Sequence, residues 1–169
     1  MADEVPHGAR ERTYKWDDPL QLAAAANTMT GLEFLTAIAD GMLPPPPVMT
    51  TTGIRAVEFG DGRAVFELKP AEWQYNPIGS VHGGVLTTLA DSALGCAVHT
   101  KLGIGRGYTS LEQKINFTRA VTVSSGPLRC VGEVITIGRR VATSEATITD
   151  HKGRVVGHAS STCLLMDKD

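Results

Sequence analysis

Residues 76–97 read NPIGSVHGGVLTTLADSALGCA, and this stretch decides how the chain around it is interpreted. From His82 to about Thr100, apolar and small residues recur at helical spacing on most sides of the predicted helix, so we expect it to be buried. Two glycines, Gly83 and Gly84, stand at its start, and Asp91 follows about two turns later. The stretch therefore predicts a buried central helix that carries one carboxylate.

The two glycines at the start of this helix have two interpretations. The first amides of a helix lack an internal acceptor and carry the positive end of the helix dipole. Because glycine lets a ligand approach the backbone closely, a substrate carbonyl at Gly83 would be polarised and its developing oxyanion stabilised. A tight turn into a helix explains the same two residues. Their chemistry alone favours neither interpretation.

Asp91 is the polar exception in the predicted helix. A carboxylate among apolar neighbours is costly unless it is paired or functional, and no Lys or Arg lies within one turn of Asp91. We therefore favour a functional role over a cap or a salt bridge. The eight residues from Gly83 to Asp91 span about 12 Å of helix, whereas a base must lie within about 3 Å of the group it activates. If both residues are catalytic, a second copy of the chain must supply one of them, and the protein is an obligate dimer with two equivalent sites.

The segments on either side of the central helix predict an α+β fold. A polar stretch over residues 1–16 precedes one helix from Asp18 to Gly41 and a stiff, extended linker over Pro44–Pro47. Further patterns predict six strands, at residues 51–59, 63–69, 108–118, 127–138, 140–150 and 154–166. One sheet with the central helix on one face would bury these patterns, and the N-terminal helix or a second chain would cover the other face.

The composition disfavours several classes of partner and site. The chain has 169 residues, 42% of them apolar, and a net charge of −2 without a basic stripe, so neither nucleic acid nor anionic membrane is a favoured partner. The charged N-terminus without an apolar segment disfavours a secretory signal, and no apolar run approaches the ~18 residues of a membrane span. The 3 cysteines and 5 histidines show neither a disulfide framework nor metal-ligand spacing. We expect a cytoplasmic protein.

The segment over residues 76–97, together with the order of elements from about residue 50 to 166, resembles the PaaI-type (acyl-CoA thioesterase 13-like) branch of the hotdog-fold thioesterases. The resemblance implies an antiparallel six-stranded sheet wrapped around a long central helix. It places residues 48–169 in the hotdog domain, and the polar segment, helix and proline linker of residues 1–47 outside it. It also implies hydrolysis of an acyl-CoA to free CoA and a carboxylic acid by a homodimer or a dimer of dimers (a homotetramer). No cofactor is expected, because coenzyme A is part of the substrate.

The resemblance also implies roles for the residues of the motif. Asp91 would deprotonate water or attack the thioester carbonyl directly, and the amide of Gly83 from the facing subunit would hold the carbonyl oxygen. Asn76 would position the water or the carboxylate, although a turn residue before a proline explains it too. His82 would brace the loop and bond the thioester region, and a purely structural role is an equal alternative.

Further residues are expected to contact the substrate. Some members of the family place a hydroxyl beside the carboxylate, and the matching position is Thr109, with Ser110 next to it. Gly84 would lie against the substrate beside Gly83. Coenzyme A needs cations for its phosphates, and Arg139 and Arg140, at a predicted hairpin tip, are candidates. A solvated turn explains the two arginines nearly as well.

Two other functions stay open at this stage. One is a non-catalytic protein that binds or senses acyl-CoA, which the carboxylate on the central helix disfavours. The other is an acyl-thioester dehydratase, whose sites pair a histidine and an acid at a different spacing. A Ser-His-Asp hydrolase is disfavoured because no Gly-x-Ser-x-Gly elbow follows a strand.

Overall fold

The computed structural model describes Gly8 and residues 10–167. Its helices are α1 (Pro19–Ala25), α2 (Gly31–Ala39), α3 (Pro47–Thr52) and α4 (Gly83–His99). Its strands are β1 (Ile54–Gly60), β2 (Arg63–Leu68), β3 (Arg106–Phe117), β4 (Leu128–Ile137), β5 (Val141–Thr149) and β6 (Val155–Asp167). Short 3₁₀ turns lie at Glu72–Gln74 and Val123–Ser125. Residues 8 and 10–16 of the expected polar segment lie outside regular structure, and its residues 1–7 and 9 lie outside the described residues.

The six strands form one antiparallel sheet in the order β1-β2-β4-β5-β6-β3, which confirms the predicted α+β architecture. The Asp61-Gly62 turn joins β1 to β2, with Gly62 at φ 76°. The strands β4, β5 and β6 are adjacent in the sheet, as a meander of hairpins requires. The two edges are therefore β1 and β3, and β3 is 12 residues long.

Helix α4 packs on the inner face of the sheet, where small residues bring its backbone close to the strands. Leu89, Ala93 and Ala97 are fully buried. A Cβ atom on Gly132 of β4 would lie 2.3 Å from the carbonyl oxygen of Ala93, so only glycine fits there. The expectation of a buried helix holds for its apolar sides, but Asp91 lies on a side that is exposed in the single chain. No helix among the described residues is long and apolar enough to cross a membrane.

The N-terminal region differs from its prediction, because two helices, α1 and α2, replace the single helix expected from Asp18 to Gly41. The chain leaves helical geometry after α1, and Thr30 caps a new helix with a capping box. Its Oγ1 accepts from the N–H of Glu33 (3.3 Å), while the Glu33 carboxylate accepts from the N–H of Thr30 (2.9 Å). The N–H of Gly31 donates to the carbonyl of Leu102 at 2.9 Å, which ties the start of α2 to the loop after α4.

The linker and the first strand are also shorter than predicted. Pro47 occupies the first position of α3, where its missing N–H costs nothing, and Gly53 (φ 80°) ends this helix. The strand expected from residue 51 therefore begins at Ile54. Helices α2 and α3 pack on β1 beside α4, not on the outer face of the sheet. The division into domains at residue 47 stays a prediction.

Candidate active site

The side chain of His82 caps α4 and determines which amide at the helix start is free. Its Nδ1 accepts a hydrogen bond from the N–H of Gly84 at 2.8 Å, and its carbonyl oxygen accepts from Val85 and Leu86. Because Nδ1 is the acceptor, a neutral His82 ring carries its hydrogen on Nε2. Among residues 10–167, the N–H of Gly83 has no acceptor. Gly83 thus offers a free donor at the positive end of the helix, whereas the N–H of Gly84 is already engaged.

A cleft of about 320 Å³ lies at this helix start. Phe117, at the end of β3, forms one wall, and a Cβ atom on Gly83 would lie 3.1 Å from its ring. Arg119 also lines the cleft. Its guanidinium is exposed and has no ion pair within the described part of the chain. Neither residue was identified from the sequence, because both lie more than thirty residues after Gly83 and reach it only through the course of β3.

Asn76 lies in the wall of the same cleft, where its side chain closes the loop that leads to α4. Its Oδ1 accepts from the N–H groups of Ile78 (3.0 Å) and Ser80 (3.2 Å), and its Nδ2 donates to the Ser80 hydroxyl at 3.0 Å. The alternative of a turn residue is therefore realised in the structure. The loop in turn places Asn76 on the same cleft as Gly83.

Asp91 lies further along α4, and the hydroxyl beside it is that of Ser110. Ser110 Oγ donates to Asp91 Oδ1 at 3.3 Å. The expectation that Thr109 holds this position is wrong, because successive side chains of a strand point to opposite faces. The register of β3 with β6 shifts between Ser110 and Glu112, a bulge next to the residue that faces the carboxylate.

Two titratable groups, the Cys96 thiol and the Tyr108 hydroxyl, are affected by the charge of Asp91. Burial, and to a smaller extent the negative charge of Asp91, raises the pKa of the Cys96 thiol to about 12. Burial also raises the pKa of the Tyr108 hydroxyl well above its ordinary value, with contributions from Cys96 and Asp91. Both groups are therefore neutral at pH 7. The carboxylate of Asp91 thus has two neutral groups within range of its charge and receives a hydrogen bond from the hydroxyl of Ser110.

Strand β3 runs back along α4, from the residues near Asp91 to the residue over Gly83. Ser110 contacts Asp91, Gln113 Nε2 donates to the carbonyl of Thr87 at 3.2 Å, and Phe117 covers Gly83. Gly83 and Asp91 themselves are separated by about 12 Å of helix. The carboxylate and the free amide of one chain therefore lie at opposite ends of the same stretch of edge strand.

The two arginines expected to bind phosphate lie at the other end of β3. Arg139 and Arg140 line a cleft of about 460 Å³ together with Arg106, which sequence reasoning missed. Arg106 Nη2 donates to the carbonyl of Arg139 at 3.0 Å, and its Nε lies 3.3 Å from an oxygen of Asp167. Three guanidinium groups thus share one surface, away from the Gly83 cleft.

Residues 78–157 match the family model of the thioesterase superfamily. A 1,4-dihydroxy-2-naphthoyl-CoA hydrolase of Listeria monocytogenes is 29% identical over 106 residues, which cover 63% of this chain and 85% of the relative. Among solved structures, a conserved protein of Pseudomonas aeruginosa is 33% identical, with a TM-score of 0.68 over 72% of this chain and 95% of that chain. The PaaI protein of the E. coli phenylacetic acid degradation operon is 21% identical, with a TM-score of 0.70 over 79% and 94%.

The likeness to PaaI concerns the fold, and it confirms the six-stranded hotdog arrangement around α4. The family match covers α4 and strands β3, β4 and β5, including Gly83, Asp91 and Ser110. The match to a CoA hydrolase favours hydrolysis over dehydration or binding without turnover. The chain belongs to the thioesterase superfamily, and it is a thioester hydrolase with the hotdog fold of PaaI-type enzymes.

Proposed function

We propose that the protein hydrolyses an acyl-CoA thioester to free CoA and a carboxylic acid, with Asp91 of one subunit and the N–H of Gly83 of a second subunit forming each site. The observation that carries this proposal is the free N–H of Gly83, which borders a cleft at the positive end of α4, together with the exposed carboxylate of Asp91 further along the same helix. His82 supports the site by capping the helix, and Ser110 by orienting the carboxylate.

Two chemical routes fit these groups. Asp91 accepts a proton from water, whose oxygen attacks the thioester carbonyl, or its own oxygen attacks and forms an anhydride that water then hydrolyses. In both routes negative charge develops on the carbonyl oxygen, where the N–H of Gly83 and the dipole of α4 stabilise it. In the first route the carbon–sulfur bond then breaks and the leaving thiolate takes the proton held by Asp91. In the second route that bond breaks as the anhydride forms, and the water that hydrolyses the anhydride supplies the proton. In both, CoA leaves as the thiol and the acyl group leaves as the acid.

The course of β3 supports a site shared between two chains. A long edge strand with exposed Leu111 and Phe117 is a surface suited to pairing with another strand. If two copies of β3 pair antiparallel about an axis near Gln113, the Ser110 end of one strand lies opposite the Phe117 end of the other. This arrangement sets Asp91 of one copy against Gly83 of the second. We expect a homodimer, with further assembly into a dimer of dimers.

The phosphates of CoA are expected to bind the arginine cleft or Arg119. Guanidinium groups form paired hydrogen bonds with phosphate oxygens, and Arg106, Arg139 and Arg140 present three such groups on one surface. Both routes use only water and groups of the protein, so we expect neither a metal nor a redox cofactor, and CoA enters as part of the substrate. Because Gly84 has no side chain, it would leave room for the substrate to lie against the start of α4 beside Gly83.

The test is release of free thiol from a panel of short, medium, long and aromatic acyl-CoAs. We expect Asp91→Asn to keep the fold and to lower kcat by at least ~10²-fold, the loss typical of a positioned base. Asp17→Asn, which removes an exposed carboxylate far along the chain, is the matched control and should retain native turnover. Native kcat in Asp91→Asn would refute the role given to this residue.

A further inference from the structure

An apolar cavity of about 80 Å³ lies between the N-terminal helices and α4. Helices α2 and α3 form its outer wall, β1 and β2 its floor, and α4 its inner wall. Its lining includes Ile38, Met49, Ala56, Phe59, Ser92 and Cys96. The N-terminal helices, which lie outside the stretch that matches the family model, thus enclose a space beside the central helix.

The lining of this cavity suits only an apolar occupant. Its polar atoms are few and already engaged: the hydroxyl of Ser92 donates to the carbonyl of Thr88 at 2.9 Å, and the thiol of Cys96 is neutral. A water molecule needs two or more polar partners, so a cavity of this kind stays dry and gains from filling by hydrocarbon. Its volume corresponds to about three non-hydrogen atoms.

The cavity borders the helix that carries the proposed catalytic carboxylate. Ser92 follows Asp91 directly, and Cys96 lies about one turn further along α4. Cys96 lines the cavity, and the charge of the Asp91 carboxylate acts on its thiol. The carboxylate and the inner wall of the cavity therefore belong to the same short stretch of α4, residues 91–96.

We propose that this cavity receives the distal end of the substrate's straight acyl chain, so that α2 and α3 determine which chain lengths are hydrolysed. The inference rests on the proposed function, because every acyl-CoA carries a hydrocarbon group on the carbonyl that Asp91 is to act on. An apolar chain end entering a dry cavity is bound more tightly with each methylene that it buries. A chain longer than the cavity allows must displace Met49 or Phe59.

The experiment compares kcat/KM across saturated straight-chain acyl-CoAs, from acetyl to palmitoyl, for the native protein and two opposite variants. Met49→Ala removes three side-chain atoms from the wall and should move the preferred length up by about two to three carbons. Ala56→Leu adds three atoms and should move it down by a similar amount. Met42→Ala, at an exposed methionine beside α2, is the control and should leave the profile unchanged.

A substitute variant and a binding experiment distinguish a wrong cavity assignment from a variant that does not fold and from a protein that does not hydrolyse acyl-CoA. Ile38→Val enlarges the cavity by one methyl group and substitutes for Met49→Ala if that variant does not fold. Calorimetric binding of non-hydrolysable S-alkyl-CoA thioethers should show the same shift in preferred length without any turnover. Native hydrolysis with the same length profile in all variants would overturn the cavity assignment and leave the proposed function standing. Absence of hydrolysis for every acyl-CoA would refute the proposed function and this inference with it.

Discussion

At the scale of single residues, the ring of His82 has a consequence that its place in the motif does not reveal. By accepting the N–H of Gly84, it satisfies one of the unpaired amides at the start of α4 and leaves that of Gly83 exposed to a ligand. The two alternatives for His82, structural support and participation in the site, are therefore compatible. The side chain that braces the loop is also the one that selects the free donor.

Asp150 shows how strongly a single carboxylate can be held in the turn between β5 and β6. It accepts hydrogen bonds from the N–H groups of Lys152 and Arg154, and its side chain pairs with the Arg154 guanidinium at 2.7 Å. These bonds, the guanidinium foremost, lower the pKa of Asp150 to about 2. Since an unfolded aspartate has a pKa of about 3.9, the native state favours the ionised form.

We therefore expect Asp150 to stabilise the fold in a pH-dependent way. Its contribution should be complete above about pH 4 and should be lost as the pH falls towards the folded pKa of about 2. The variant Asp150→Asn should melt at a lower temperature than the native protein at pH 7, and the gap should narrow below pH 4. Thermal melting from pH 7 to pH 2 measures this, with Asp17→Asn as control. A gap that does not vary with pH would contradict the assignment.

At the scale of elements, α4 both packs on the sheet and carries the groups proposed for catalysis. Different positions of its sequence serve these two roles. Small residues such as Ala93 let it pack closely on the strands, opposite Gly132. Its exposed side carries the groups proposed for chemistry, at the start of the helix and about two turns along it. The same element thus holds the core together and presents a donor at one end.

The start of α4 allows the amide of Gly83 to be removed without breaking the helix. Proline is favoured at the first helical position and has no N–H, and the backbone of His82 (φ −60°, ψ 135°) already has the conformation that a residue before proline adopts. We expect Gly83→Pro to fold and to lower kcat by about 10²- to 10³-fold, as for loss of one oxyanion donor. The measurement is steady-state thiol release together with thermal melting.

Gly83→Ala is the matched control for that variant. It keeps the N–H and places a Cβ atom at the same point against the ring of Phe117, which is a side chain able to shift. The two variants share the steric change and differ in the donor. Equal loss of turnover in both would mean that crowding by the side chain, and not the missing N–H, accounts for the effect.

At the scale of the whole molecule, the proposed site exists only where two chains meet. One chain carries Asp91 and Gly83 about 12 Å apart, and the exposed edge strand β3 lies alongside both. Pairing of two such edges would cover β3, remove an aggregation-prone surface and complete two sites at once. Stability and activity would then depend on the same contact.

Mixed dimers test this arrangement. A heterodimer of an Asp91→Asn chain and a Gly83→Pro chain has one site with both defects and one site with neither. Random pairing of the two inactive proteins should therefore restore about a quarter of the native activity. The measurement is thiol release after co-refolding, with heterodimer formation confirmed by differently tagged chains. If heterodimers form and stay inactive, each site draws both residues from one chain.

Much of this architecture was predictable from local patterns, because the types and bounds of elements depend on neighbours in sequence. The helical spacing after His82 and the strand patterns between Arg63 and Asp167 led to α4 and to β2–β6 within about two residues. The glycine pair and Asp91 stood out for the same reason. The prediction failed where a local signal was ambiguous, as at Thr30, whose capping box interrupts an apolar spacing that continues on either side.

What only the tertiary structure decided are the relations between residues far apart in the chain. The sequence by itself determined the order of elements and the presence of an acid on the central helix, because periodicity, caps and turns are local. It could not determine that Ser110 and not Thr109 faces Asp91, that Phe117 and Arg119 border Gly83, or that two N-terminal helices enclose an apolar cavity. Each of these depends on how β3 and α2 cross α4, and such a crossing is settled by packing over the whole core.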